Sequence, residues 1–412
     1  MKNELHWFYP GLGIKRWIFL AAIGIVFISL SSASLVKSNS LDESVFAFLG
    51  LGVGTLAIIV SVKELITTVI NVLYPQRSKK LVDIFMENKK RNKGPNIVAI
   101  GGGTGLSALL QGLKNITANT TAVVTVADDG GSSGRIREEF DILPPGDIRN
   151  CLVALADAEP LMRELFQYRF KSEGELKNHN FGNLFITALS QITGDFEKAI
   201  KESSKILAIR GRVVPATVDK IKLIAEYEDG RKTVGESQIP KTGARIKNIY
   251  IDPVTCKPSY SAIEAIEHAD AVILGPGSLY TSILPNLLVP GILDAVSVSH
   301  AVKIYVCNIM TQLGETDSYC ASDHIKALVE HTSGNLMQYC ILNVSFIPEN
   351  LLKKYAEEGA YPVEADVINI EKMGFKPVVK DLANLGDVVR HNSEKLADVI
   401  LEIISMDKGK ER

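Results

Sequence analysis

The residues whose types and spacing could do chemistry lie in short glycine-rich and polar runs. The first is Gly101-Gly102-Gly103-Thr104-Gly105, which follows the apolar run Asn96 to Ile100 and precedes a helical pattern of Leu106, Leu109, Leu110 and Leu113. Glycines let a backbone approach a ligand closely, and the start of the next helix offers free N–H groups to a phosphate. Gly103-x-Gly105-x-x-Ala108 also fits the G-x-G-x-x-A form of a dinucleotide (NAD) fingerprint, with Asp128 and Asp129 near the position of its ribose-binding acid. The second run, Ala127 to Arg135 (ADDGGSSGR), has two adjacent aspartates where that fingerprint needs one, which weakens the NAD reading. Its backbone N–H groups, the Ser132 and Ser133 hydroxyls and Arg135 could hold an anion, and Asp128 or Asp129 could bind Mg²⁺ or a sugar hydroxyl. A flexible turn with a helix cap explains the same residues without a ligand.

Three further runs carry similar chemistry. Pro144 to Asn150 (PPGDIRN) places Asp147 as a helix N-cap, with Arg149 and Asn150 one turn inside and able to face the same cleft. His179 sits among Asn178, Asn180 and Asn183 just before the helical run Leu184 to Ile192. A hydrogen bond to a ligand and an ordinary structural role are both open for it. A lone histidine without a second ligand at metal spacing is a weak basis for a metal site. Gly275-Pro276-Gly277-Ser278 follows the apolar Ala271 to Leu274 and begins another strand–glycine–helix unit, with Tyr280, Thr281 and Ser282 at its turn. Tyr280 could stack on a ligand ring or pack in the core. Asn308 to Asp317 is a further polar strand end that could complete a cleft.

The elements that must position these runs are those of an α/β domain with a mostly parallel sheet. Strands are predicted at 96–100, 121–127, 271–274 and 303–307, with an antiparallel hairpin excursion at 221–227 and 232–234. In an open parallel sheet, ligands sit outside the carboxyl ends of the strands. That rule places the Gly101 and Gly275 loops on one edge, and two anion-type loops together suggest a diphosphate or a nucleotide sugar. The domain is expected over 95–350. A C-terminal extension, 351–412, would carry an amphipathic helix from Ser393 to Ile404 that suits packing on the domain or homo-oligomer contact.

Composition separates this domain from what precedes it. The 412 residues are 46% hydrophobic and 22% charged, which excludes a disordered chain, and the net charge of −2 argues against a nucleic-acid-binding surface. A mean hydropathy of +0.13 is high for a soluble protein, and the excess lies in residues 1–75. Two apolar spans there, about 17–36 and 45–65, the second uncharged from Val45 to Val62, are long enough for a transmembrane hairpin. The first run exceeds a signal-peptide h-region of roughly 7–15 residues. Lys15 and Arg16 precede it, and a basic linker over 76–94 follows the second. Both termini are therefore expected on the cytoplasmic side of a cell membrane. Residues 1–94 carry +6 and the remainder −8. The five cysteines form no CxxC pair, which fits reduced thiols in a cytoplasmic domain.

In this order, GGGTG, ADDGGSSGR, PPGDIRN, HNFGN, GPGSLYTSILPNLLVPGI and NIMTQLGETD resemble the YvcK-type gluconeogenesis-factor family, related to the CofD-type 2-phospho-L-lactate transferases. The resemblance covers about residues 95–350. It implies a Rossmann-like fold and a cytoplasmic protein that binds UDP-sugars and supports cell shape and wall synthesis on gluconeogenic carbon sources. By motif, Gly102, Gly103 and Thr104 would face phosphate, Asp128 and Asp129 would lie beside the ligand, and Asn183 would lie in the cleft. Gly277, Ser278 and Tyr280 would contact the nucleotide sugar. The transferase relatives use a nucleotide-activated phospholactate, a deazaflavin acceptor and Mg²⁺. The Gly275 and Asn308 loops look closer to the YvcK type, and the membrane hairpin departs from its purely soluble members.

Overall fold

The structure, a computed structural model, describes residues 14–37, 41–73, 89–171, 173–332 and 336–408, with backbone alone for 69–73. Most of the expected basic linker, residues 76–88 of 76–94, lies outside the described residues. The chain divides into two compact units, Met1–Lys89 and Lys90–Arg412.

The second unit is built on a seven-stranded sheet. Its strands are β1 (Ile97–Gly101), β2 (Thr120–Val124), β3 (Arg212–Pro215), β7 (Ala271–Leu274), β8 (Val302–Val306), β9 (Tyr339–Asn343) and β10 (Lys376–Lys380), in the order β10-β9-β8-β7-β1-β2-β3. Every pairing is parallel. Such strands are covered on both faces, so they are continuous rather than alternating apolar runs, and β1, β2, β7 and β8 are buried at every residue. The excursion is larger than a hairpin: β4 (Lys222–Tyr227) pairs with β5 (Lys232–Val234) and also with β6 (Ile246–Asp252), all antiparallel.

Strand order fixes where a cleft must form. From β1 the chain builds outward through β2 to β3, then crosses back to place β7 on the other side of β1 and continues to β10. The sheet therefore changes direction between β1 and β7, where the connections leave to opposite sides and open a crevice. Helix α1 of this unit (Gly103–Leu113) follows β1, helix α2 is Gly131–Phe140, helix α3 is Gly146–Leu155 and helix α4 is Phe181–Thr193. Leu106, Leu109, Leu110 and Leu113 of α1 are fully buried, each contributing about 1.5–3 kcal/mol of apolar transfer free energy.

The boundary expected at residue 350 is corrected. β10 is a strand of the main sheet, and the hairpin of β11 (Ala383–Leu385) with β12 (Val389–His391) follows it. Helix α5 (Ser393–Lys408) buries Leu396, Ile400, Ile403 and Ile404. It starts so near α1 that a Cβ on Gly112 would overlap the Ser393 carbonyl. Residues 351–408 are part of the domain because the sheet needs β10 to cover β9 and α1 needs α5 to cover its outer side.

The first unit holds two helices, Ile14–Lys37 and Leu41–Leu73, both long and apolar enough to cross a membrane. They pack through small residues. A Cβ on Gly24 would come within 2.8 Å of the Gly54 carbonyl oxygen, and Ser31 lies against Gly50. Large side chains such as Phe19, Leu30, Phe46 and Leu56 point outward, the distribution of a helix pair surrounded by apolar medium.

Candidate functional site

A cavity of about 250 Å³ lies at the switch point. One wall is Gly102 to Gly105, at the carboxyl end of β1, and the facing wall is Pro276, Gly277 and Ser278, after β7. Helix α1 begins here with Gly102 as its N-cap, which has no side chain to cap it; the Asp147 carboxylate takes the Gly103 N–H, and the first-turn N–H groups from Thr104 onward remain for an anion. Glycine is required at two of these positions. Gly103 has φ +65°, and a Cβ on Gly105 would come 2.7 Å from the Pro276 carbonyl oxygen. Asn308, at the end of β8, ties the second loop in place. It accepts from the Gly277 N–H (3.2 Å) and donates to the Gly277 carbonyl (2.9 Å). The Gln312 amide donates to the Ser278 hydroxyl (2.7 Å). Three strand ends thus hold two glycine loops at a fixed separation.

The far wall comes from the C-terminal segment. Val389, Arg390 and His391 of β12, with Tyr355, close the cavity. Tyr355 is pinned there by accepting the Val389 N–H (2.8 Å). Arg390 is exposed and has no ion pair among the described residues. It is the cation of the cavity. His391 is buried, and burial lowers its pKa to about 4, so the ring is neutral at pH 7.

The ADDGGSSGR, PPGDIRN and HNFGN runs meet in a second, packed cluster. The Ser132 hydroxyl lies 3.3 Å from His179 Nδ1 and accepts from the Asn180 N–H and the Asn183 amide, both at 3.2 Å. Asn183 also donates to Ser133 (3.4 Å) and accepts from the buried Arg149 guanidinium (3.0 Å), whose other arm reaches Asn150 (2.6 Å). Arg135 is exposed and donates to the Lys177 carbonyl (2.6 Å). The N-cap of α3 is Pro145, not Asp147. Asp147 lies one position inside the helix and accepts instead from the Gly103 N–H, linking this cluster to the cavity. Burial, with the Asp128 charge nearby, pushes its carboxyl up to about 6.

Negative charge collects here. Glu236, between the second and third excursion strands, is pushed up to about 8 by burial and by Asp128, Asp147, Glu315 and Asp129. Glu315 is pushed up to about 7 by burial. Asp128 is raised for the same reason. Asp128 accepts from the Gly130 N–H (2.9 Å) and Asp129 from the Ser237 N–H (2.8 Å). Among the described residues no three His, Cys, Asp or Glu side chains are grouped to hold a metal ion.

Of the residues expected at the ligand, Gly102, Gly103, Thr104, Gly105, Gly277 and Ser278 line the cavity, and Asn150 lines an adjoining one. Asp128, Asp129, Ser132, Ser133, Asp147, His179 and Asn183 form the packed cluster behind it, and Gly275 (φ +81°) shapes its loop. Tyr280 and Thr281 face the core. Tyr280 is 1% exposed and its hydroxyl meets that of Tyr319 at 2.8 Å, while Thr281 donates to Glu315 (3.1 Å). Core packing, and not ring stacking, is the role of Tyr280. Tyr355 on the helix Glu349–Glu357 and Arg390 and His391 on the three-residue strand β12 carry no local sequence signal as cavity residues.

The fold and site define the class: an open, parallel α/β domain with paired glycine loops at its switch point, of the kind seen in CofD proteins. The family model described as 2-phospho-L-lactate transferase CofD matches residues 97–383. The chain belongs to the gluconeogenesis-factor (YvcK) family of CofD-like proteins. A Nostoc sp. protein with a provisional gluconeogenesis-factor name is 45% identical over 419 residues, covering 96% of this chain and 91% of its own. The gluconeogenesis factor of Bacillus subtilis is 48% identical over 312 residues, covering 75% of this chain and 98% of its own. A crystal structure of a UPF0052-family protein from Bacillus halodurans aligns with a TM-score of 0.73 at 48% identity, covering 75% of this chain and 99% of that one.

Proposed function

We propose that the domain binds a nucleoside-diphosphate sugar of the UDP-N-acetylglucosamine type and acts as a regulatory protein without turning it over. The observation that carries this reading is the switch-point cavity, where two glycine loops, the start of α1 and the unpaired Arg390 face one another. Backbone N–H groups and a guanidinium are the donors a diphosphate needs, and they act locally even in a domain of net negative charge. The two N-terminal helices tether the domain to a cell membrane, with both termini on the cytoplasmic side. In this reading the protein links carbon supply to cell shape and wall synthesis during growth on gluconeogenic carbon sources.

Calorimetry on the full-length chain in detergent tests the binding. UDP-N-acetylglucosamine is expected to bind, and Arg390→Ala to weaken it about tenfold or more, the scale of one charge-assisted contact. No heat of binding with any UDP-sugar would sink the proposal. The description of the matching family model favours a second reading, a 2-phospho-L-lactate transferase acting on a nucleotide diphosphate donor. Turnover of a nucleotide-activated phospholactate without UDP-sugar binding would establish that reading instead.

A further inference from the structure

A second cavity, of about 230 Å³, continues from the first and shares Thr104, Ala108, Arg390 and His391 with it. Its other polar lining is Ser107, Gln111, Asn150, Gln167, Asn384 and Ser393. Arg390 is its one charged lining residue. The side-chain amides of Gln111, Gln167 and Asn384 have no hydrogen-bond partner among the described residues, and all three residues are exposed. The two cavities differ in kind. The outer wall of the first is apolar and aromatic, from Ile309, Met310, Tyr355 and Val389, and suits the flat face of a base. The second has neutral amides and hydroxyls that both donate and accept, which matches sugar hydroxyls and an acetamido group. It has no Phe, Tyr or Trp ring on which a base could stack.

His391 supports the same division. It lines both cavities, is 8% exposed, and its Nε2 has no partner among the described residues. Burial keeps the ring neutral, so His391 forms an uncharged wall between the two cavities.

We infer that the second cavity is the sugar subsite, with Gln111, Gln167 and Asn384 as its specificity-determining amides and Arg390 and His391 between sugar and diphosphate. This rests on the nucleoside-diphosphate-sugar reading above. Calorimetry on the full-length chain in detergent, with UDP, UDP-glucose and UDP-N-acetylglucosamine, tests it with the combined variant Gln111→Ala, Gln167→Ala, Asn384→Ala. All three positions are exposed, so an unchanged melting temperature serves as the folding control. The unsubstituted chain is expected to bind UDP-N-acetylglucosamine about tenfold or more tighter than UDP. The variant should lose that difference while its UDP affinity stays within about twofold. If the variant keeps the sugar increment, or loses UDP affinity equally, the subsite assignment fails. If UDP binds and the sugar adds nothing, the assignment fails while diphosphate binding stands. If neither UDP nor a UDP-sugar binds, the reading beneath it fails as well.

Discussion

At the residue scale the cavity depends on side chains that are missing as much as on those present. Gly105 lets the first loop pass the Pro276 carbonyl, and a methyl group there would come within 2.7 Å of that oxygen. Gly105→Ala should therefore cost about 1–3 kcal/mol of stability and remove UDP-sugar binding. Urea unfolding read beside calorimetry checks both; an unchanged pair would mean the loops do not need this approach. Glu236 gives a pH prediction. Its carboxyl rises from 4.5 to about 8 in the fold, so the native state holds a proton that the unfolded chain releases. Stability from this group is full below about pH 4.5 and falls as pH rises towards 8. Glu236→Gln should raise stability by of order 1–3 kcal/mol near pH 8.5 and little near pH 4.5. Melting temperatures across that range decide it, and a gain independent of pH would refute the assignment.

At the element scale, helices α2, α3 and α4 are joined by a set of buried side-chain hydrogen bonds. Asn183 on α4 binds Ser132 and Ser133 on α2 and the Arg149 guanidinium on α3. Replacing it by Ala leaves a buried guanidinium short of an acceptor, a loss of about 2–4 kcal/mol. Circular dichroism during denaturant unfolding should show that loss, with Asn183→Asp recovering part of it by offering a carboxylate to the same guanidinium. The element least legible in the sequence was β12. Its three residues, Val389 to His391, have too short a pattern to announce a strand, and its antiparallel pairing with β11, with the Val389 N–H held by Tyr355, places Arg390 over the glycine loops.

At the scale of the whole molecule the chain combines two units of opposite net charge. The helices Ile14–Lys37 and Leu41–Leu73 present large apolar side chains outward, which water would penalise at about 25 cal/mol per Å² of exposed apolar area. The full chain should therefore sediment with membranes and resist extraction by alkaline carbonate, whereas a chain starting at Lys90 should remain in the soluble fraction. Release of the full chain by carbonate would remove the anchor from the proposal.

The sequence by itself determined the hairpin helices, the parallel α/β class and the two glycine loops. Each is encoded locally, in uninterrupted apolar length, in buried strand runs, or in glycines that no other residue can replace at the same backbone geometry. It also placed both loops on one sheet edge, because parallel strands align their carboxyl ends. Only the tertiary structure decided which side chains face the cavity. Tyr280 and Gly277 are three residues apart, yet one is sealed in the core against Tyr319 and the other lines the cavity. Residues 351–412 read as an extension, yet β10 completes the sheet and β12 closes the site. Strand order and long-range pairing bring these segments together across some 290 residues of chain, from Gly101 to Arg390, and such contacts leave no mark on local composition.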